Sequence, residues 1–363
     1  MKNICFFNTV SFWGGGEKLH LEYALEFKER GYNVYMVCAP KSPLEMEANA
    51  HKIKTHSLKL KNLSFLNPFK YRKVKRFFKN EKIDTVFFTT SQDAKVGGIS
   101  AHKVDVERVI YLRGLAVPIK KNFINSYLLK RAMTHLIANS QETKRMILGN
   151  FNEDTIKNKT GVIYHGIDLG AYDHAAEQQK AAYIKKGNEI VIGTAGRLTE
   201  QKGQYHLINA TKILVDKGHD LKVLIAGTGP LAKQVKEQII SLGLQDRIEL
   251  KGFVTEIEGF LKSIDLFVLP SLWEGFGYAI VEAMAASKAV VAFDCSSNPE
   301  IISDGETGIL IKQTKAQDLA DGIEKLISNN TLMNEMGKAG RTRVEAKFQL
   351  SVVIDELITF LEL

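Results

Sequence analysis

The run IDLFVLPSLWEGFGYAIVEAMAASKAVVAFDCSSNPEII, Ile264 to Ile302, limits most sharply what this chain can fold into. Ile264 to Leu269 is short and mostly apolar, the mark of a strand buried on both faces. Pro270 and Ser271 end it. Trp273 to Gly277 has the backbone freedom of a loop that approaches another molecule closely. Tyr278 to Ser287 carries a helical pattern, and Ala289 to Phe293 is a second buried strand. Strand, loop, helix and strand in that order give a parallel βαβ unit, in which ligands sit at the carboxyl ends of the strands. The fold class is therefore α/β.

Two acids make the unit chemically informative. Glu274 lies in the loop, and Glu282 sits inside the helix among apolar neighbours. A carboxylate there loses hydration and needs donors in place of water. Sugar hydroxyls are such donors, and the backbone of Gly275–Gly277 at a helix start offers N–H groups to a phosphate. A Lys or Arg from elsewhere in the fold would satisfy Glu282 equally well.

At 363 residues the chain is long for one core and sufficient for two domains. A second βαβ series begins at Glu189, after a polar stretch from Ala171 to Asn188 that reads as a linker. The domains expected are 1–170 and 189–345, joined by 171–188, with 346–363 a terminal helix crossing back to the first domain. In the first half, Lys2–Val10, Asn33–Ala39, Thr85–Thr89, Arg108–Leu112 and His135–Ala138 read as strands. The glycines at 14–16 follow the first of these. They are consecutive, not G-x-G-x-x-G, and the second strand ends in Cys38-Ala39-Pro40 with no acid for a ribose, so a nicotinamide dinucleotide site is not expected. In the second half, Arg197 and Lys202 follow a strand, and two cations at a carboxyl end suit a diphosphate.

The three cysteines, Cys5, Cys38 and Cys295, form neither a disulfide framework nor a metal-ligand spacing. No stretch approaches the ~20 apolar residues of a membrane span. A cytoplasmic protein is expected, with possible association at the membrane's cytoplasmic face. The net charge of +8 is uneven: residues 51–82 hold eleven Lys or Arg and one acid, Glu81. Such a segment meets nucleic acid, an acidic substrate or an anionic membrane, or is simply solvated. Within it a helix starts at Asn67-Pro68, with Tyr71, Val74 and Phe78 on one face and Arg72, Lys73, Lys75, Arg76 and Lys79 largely on the others. Nucleic acid is disfavoured because no regularly spaced aromatic platform accompanies the charge.

The segment from Glu274 to Ile302 resembles the E-x7-E signature of the family 4 glycosyltransferases. Gly196-Arg197 through Lys202-Gly203, the turn at Gly227, and Lys251-Gly252-Phe253-Val254 are similar to further segments of that family. The resemblance implies a GT-B fold, two Rossmann-like domains with parallel sheets facing across a central cleft. It implies retaining transfer of a sugar from a nucleotide diphosphate-sugar, UDP-sugar first among them, to a glycan or glycolipid acceptor in bacterial surface glycan synthesis. Carried over, Arg197, Lys202 and Glu274 are the catalytic candidates. The donor-binding candidates are Gly15, Gly16, Gly196, Arg197, Lys202, Gly227, Phe253, Glu274, Gly275, Phe276, Gly277 and Glu282, with Glu274 on the transferred sugar and Glu282 on the ribose. Glu17, Arg113 and His165 are acceptor-side candidates. Arg113 stands where many members have histidine, and His165 where asparagine is common. No metal and no cofactor beyond the co-substrate is expected. A nucleotide-sugar epimerase on the same fold is the alternative activity, and a nucleic-acid-binding protein the alternative class.

Overall fold

The computed structural model describes residues 2–363, which divide into two compact units, one of residues 2–165 with Val353–Leu363, the other Gly166–Val352. The first unit is built on β1 (Asn3–Asn8), β2 (Asn33–Cys38), β3 (Lys54–Ser57), β4 (Thr85–Phe88), β5 (Arg108–Arg113), β6 (His135–Ala138) and β7 (Thr160–Val162). Their order in the sheet is β3-β2-β1-β4-β5-β6-β7, and every pairing is parallel. Successive residues of β1 face opposite sides, so one strand anchors two layers. Phe6 stacks on Phe87 at 4.9 Å and meets Phe27 of the helix Gly15–Glu29. Phe7 packs with Phe88 and with Phe78 of the helix Pro68–Asn80. Residues 353–363 complete this unit: Arg108 Nε donates to the Leu361 carbonyl at 2.6 Å, and Arg30 reaches Asp355 at 3.1 Å.

The strand β3 was not expected. Its sequence, Lys-Thr-His-Ser, has no apolar run, and as the sheet's edge it has none of its residues fully buried. Edge strands carry charge without penalty, which hides them from a search for buried strands.

The second unit repeats the plan with β8 (Ile190–Ala195), β9 (Leu221–Ala226), β10 (Ile248–Gly252), β11 (Leu266–Leu269), β12 (Ala289–Phe293) and β13 (Gly308–Ile311), ordered β10-β9-β8-β11-β12-β13 and parallel throughout. The helix between β11 and β12 runs Tyr278–Ala285 and buries Ile280, Val281, Ala283 and Met284. The stretch read as a linker is different in the structure. It begins in a helix, Leu169–Gln178, capped by Asp168, whose Oδ1 accepts from the Ala171 N–H at 2.9 Å. Asp173 of that helix forms a two-pronged pair with Arg341 at 2.7 Å, and Gln179 Oε1 accepts from the Gly259 N–H at 2.8 Å. Only Leu169 and Tyr172 of the helix are buried, too narrow a stripe to stand out in a polar sequence. Among the described residues no helix is long and apolar enough to cross a membrane.

One buried group in the first unit bears on stability. His20, in the helix Gly15–Glu29, lies fully buried, edge-on to Phe6 at 5.6 Å, with neither ring nitrogen partnered. Burial lowers its pKa to about 3. A depressed pKa means that stability present above the unfolded value of about 6.5 is lost as pH falls toward 3. His20→Leu removes no hydrogen bond, so at pH 5 it should relieve about 2 kcal/mol of this proton-linked cost. Denaturant unfolding at pH 5 and pH 7.5 checks this. A native-to-variant difference that stays the same at both pH values rules out His20 as the acid-sensitive group.

Candidate active site

The strand order in the second unit reverses at β8, which lies between β9 and β11. Connections leaving the carboxyl ends of β8 and β11 diverge there and leave a crevice. The loop after β8 and the loop after β11 are fastened together along its rim. The Leu272 N–H donates to the Gln201 carbonyl at 2.8 Å, and Gln201 Nε2 returns to the Trp273 carbonyl at 2.9 Å. Gly203, at a left-handed φ of +58°, sits where a side chain would collide with the Pro270 carbonyl oxygen. This stitching brings Lys202 Nζ to Glu274 Oε1 at 2.6 Å, with the Glu274 side chain only 6% exposed.

The segment after β8 is also tied to the turn after β9. The Gly196 N–H donates to the Ala226 carbonyl and the Leu198 N–H to the Thr228 carbonyl, each at 2.9 Å. Gly227 has φ +140°, and a Cβ there would strike the Gly196 carbonyl oxygen. Only glycine lets the two turns meet. Between them opens a cavity of about 530 Å³, lined by Gly196, Arg197, Gly227, Pro230, Phe253 and Ile257 among others. The Phe253 ring is 76% exposed and forms an apolar wall, while the Arg197 side chain is exposed beside it. An aromatic plate facing a cation and glycine backbone suits a planar ring joined to an anion.

Gly196, Arg197, Gly227 and Phe253 thus share one cavity, and Lys202 and Glu274 form a pair on the loops above. Gly275 and Gly277 flank the start of the helix Tyr278–Ala285, which has no side-chain cap. Phe276 is different from the expectation for its side chain: the ring is buried and packs on Phe348 at 5.9 Å, so it anchors the loop and leaves only its backbone to a ligand. Glu282 is partly buried one turn into that helix and does not line the cavity. Ser271, Ser297 and Asn298, beyond β11 and β12, were not singled out from the sequence. All three are fully buried, and Ser271 Oγ, Ser297 Oγ and Asn298 Oδ1 have no partner within the protein. Nothing in their sequence context signals this burial.

The first unit has a corresponding reversal at β1, between β2 and β4. There the chemistry is acidic. Asp93, fully buried, accepts from the Thr9 N–H at 3.0 Å and from the Thr9 and Thr90 hydroxyls. Loss of hydration, partly offset by these donors, raises its pKa to about 6. Glu17, 5% exposed, accepts from Asn8 Nδ2 at 2.9 Å. Gly15 and Gly16 open the same helix as Glu17. Arg113 and His165 lie apart from these, with Asn139 around a small void at the ends of β5 to β7. Arg113 Nη2 donates to the Val117 carbonyl at 3.0 Å, while its Nε and Asn139 Oδ1 are buried without a partner. Burial lowers the His165 pKa to about 4, which keeps the ring neutral near pH 7. Asn139 was visible in sequence only as the residue ending a strand. No group of three or more His, Cys, Asp or Glu among the described residues is arranged to hold a metal ion.

Comparison with known proteins adds a second line. Residues 175–343 match the family model described as glycosyl transferases group 1, and residues 13–171 match glycosyltransferase family 4. The capsular polysaccharide biosynthesis glycosyltransferase CapM of Staphylococcus aureus is 29% identical over 294 residues, 77% of each chain. The UDP-Gal:alpha-D-GlcNAc-diphosphoundecaprenol alpha-1,3-galactosyltransferase of Escherichia coli is 26% identical over 297 residues, 78% of this chain and 76% of that protein. Among solved structures, Anabaena HepE in complex with UDP and glucose superposes with a TM-score of 0.81 at 22% identity, covering 100% of both chains.

The Lys202–Glu274 pair yields a direct test. Removing one member of a poorly hydrated pair strands the other charge, whereas removing both does not. Lys202→Met should destabilise the fold by on the order of 3 kcal/mol, and Lys202→Met combined with Glu274→Gln by clearly less. Denaturant unfolding of the two singles and the double closes the cycle. Additive losses would mean that the pair is not coupled.

Proposed function

The chain is a GT-B enzyme of the family 4 glycosyltransferases, and we propose that it transfers a sugar from a UDP-sugar, with retention, to an acceptor hydroxyl in the synthesis of a bacterial surface glycan or glycolipid. The observation that carries the donor half is the cavity walled by Phe253, floored by glycine backbone and bordered by Arg197, with Lys202 on the adjoining loop. A nucleoside base fits against Phe253, and its diphosphate falls to Arg197 and Lys202. UDP in the similar HepE structure supports the choice of nucleotide, and the two bacterial relatives support the class of acceptor.

In this reading Glu282 takes the ribose hydroxyls and Glu274 takes the transferred sugar. Lys202 exchanges part of its contact with Glu274 for the diphosphate. The bond from the sugar's anomeric carbon to the phosphate oxygen breaks while the acceptor oxygen bonds to the same face of that carbon. The acceptor's proton goes to a donor phosphate oxygen, and nucleoside diphosphate leaves. Arg197 and Lys202 stabilise the charge that develops on it. In this reading Arg197 and Lys202 carry the charge that a metal ion would otherwise neutralise, and the step calls for no metal. Glu17, Arg113 and His165 remain the acceptor-side candidates; Glu17 offers a carboxylate to hydroxyls, and neutral His165 a ring with one nitrogen that donates and one that accepts a hydrogen bond.

Calorimetric titration with UDP tests the assignment. Arg197→Ala loses a charge-assisted contact worth about 1.5–3 kcal/mol and should weaken UDP roughly 10- to 100-fold. Glu282→Ala should weaken UDP and UDP-sugar alike, while Glu274→Ala leaves UDP nearly untouched and lowers turnover. Equal loss of UDP affinity in both glutamate variants would defeat the divided roles. Turnover should also survive excess chelator; loss that a divalent ion restores would overturn the metal-free step.

A further inference from the structure

The second unit holds another cavity, of about 520 Å³, close in volume to the one beside Phe253. The two lie at opposite edges of the sheet. Phe253 follows the carboxyl end of β10, whereas Lys288 immediately precedes β12. The helix Ile257–Lys262 serves both: Ile257 lines the first cavity, and Glu258 and Lys262 line the second. The helix Leu169–Gln178 adds Tyr172, Asp173 and Glu177 to the second, and the turn before β12 adds Ser287 and Lys288.

Part of this polar lining is committed to holding the fold. Arg341 clasps Asp173 with two bonds of 2.7 Å, pairs with Glu345 at 2.8 Å and donates to the Ala285 carbonyl at 2.9 Å. It thereby joins the helices Leu169–Gln178 and Tyr278–Ala285 to its own, Asn330–Lys347. Lys262 Nζ reaches the Ala176 and Gln179 carbonyls at 3.5 and 3.4 Å. Three groups are not committed in this way. The Glu258 carboxylate and the Lys288 amine are half-buried, and the Tyr172 hydroxyl belongs to a buried ring; among the described residues none of the three has a hydrogen-bond or ion-pair partner. Asp265, whose charge acts on Lys288, is already engaged by Lys185 and by the Val191 N–H, each at 2.8 Å. Burial lowers the Lys288 pKa, so its charge costs hydration that nothing in the protein returns. Burial and then the charge of Glu258 raise the pKa of the Tyr172 hydroxyl, which stays a donor.

Glu258 and Lys288 thus bring opposite charges into one cavity without pairing. An apolar ligand would strand both of them. A simple anion would suit Lys288 but face Glu258 and the exposed Glu177, and a simple cation would face Lys288. A molecule that carries both an oxyanion and an ammonium satisfies the two together, with charge-assisted hydrogen bonds at each end. We propose that this cavity is a second ligand site, which takes a small zwitterion with its oxyanion on Lys288 and its ammonium on Glu258. The proposal goes beyond the sugar-nucleotide reading and stands without it, since no residue lines both cavities and its test contains no nucleotide.

Ligand-observed NMR titration of the full chain near pH 7 tests it. The probes are 4-aminobutyrate and O-phosphoethanolamine, a carboxylate and a phosphate zwitterion, set against butyrate and butylamine, which each carry one of the two charges. At least one zwitterion should bind, 10-fold or more tighter than either single-charge compound, and the tighter of the two tells which oxyanion the site takes. Glu258→Gln and Lys288→Met should each weaken that zwitterion about 10-fold, the loss of one charge-assisted hydrogen bond. Neither substitution breaks a bond within the protein, so the thermal unfolding midpoint of each variant should match the parent; should Lys288→Met fall, Glu258→Gln alone carries the test. Absence of binding by both zwitterions, or equal binding of butyrate or butylamine, overturns the proposal. So does an affinity unchanged by Glu258→Gln, the result that capture of the oxyanion by Arg197 would give.

Discussion

In a parallel sheet whose order runs outward from its first strand, two neighbouring connections must leave toward opposite faces. The crevice that the Lys202–Glu274 pair rims depends on that constraint. It opens a gap at the carboxyl ends of β8 and β11, and the loops that rim it are then closed by backbone hydrogen bonds and by the Gly203–Pro270 contact. The order of cause matters here. A Lys–Glu attraction across water is worth too little to arrange two loops. Lys202 and Glu274 meet at 2.6 Å because the backbone has already brought their loops together, and burial then strengthens the pair. The pair beside the cavity is thus in place before any ligand arrives.

How much of this was legible in the sequence follows from burial. Strands such as β8, β11 and β12, covered on both faces, must be apolar along their length, and they can be read directly. So can the residues just past their carboxyl ends, Arg197, Lys202 and Glu274, because short loops keep sequence neighbours close in space. Half-buried elements were not legible. The edge strand β3 and the helix Leu169–Gln178 satisfy their backbones while showing water mostly polar side chains, and the second was read as linker for that reason. The exposed Phe253 was found through resemblance, not through any local pattern.

The site residues that were missed share one physical origin. Ser271, Ser297 and Asn298 are small polar residues that look like ordinary turn formers. All three are completely buried, and Asn298 Oδ1 lies close to Gly277, in the loop that Phe276 anchors against Phe348. A residue's exposure is then set by the tertiary fold, which no window of sequence contains. The same applies to Asn139, brought beside Arg113 and His165 only by the pairing of β5 with β6 and β6 with β7.

The two units share the order of their first six strands but differ in the chemistry at the reversal of strand order, and this difference bears on the roles proposed for them. In the second unit the pin across the gap is Lys202–Glu274, with Arg197 exposed next to it, so cations outnumber acids where a ligand enters. In the first unit the equivalent pin is Thr9 to Asp93, with Glu17 held by Asn8 nearby. A diphosphate placed there would meet two carboxyl groups and no balancing cation among the residues forming that pin. Hydroxyls would instead find acceptors already oriented by Asn8, Thr9 and Thr90. The same fold thus repels an anion at one reversal and attracts it at the other, which fits a polyol at the first and a nucleotide diphosphate at the second.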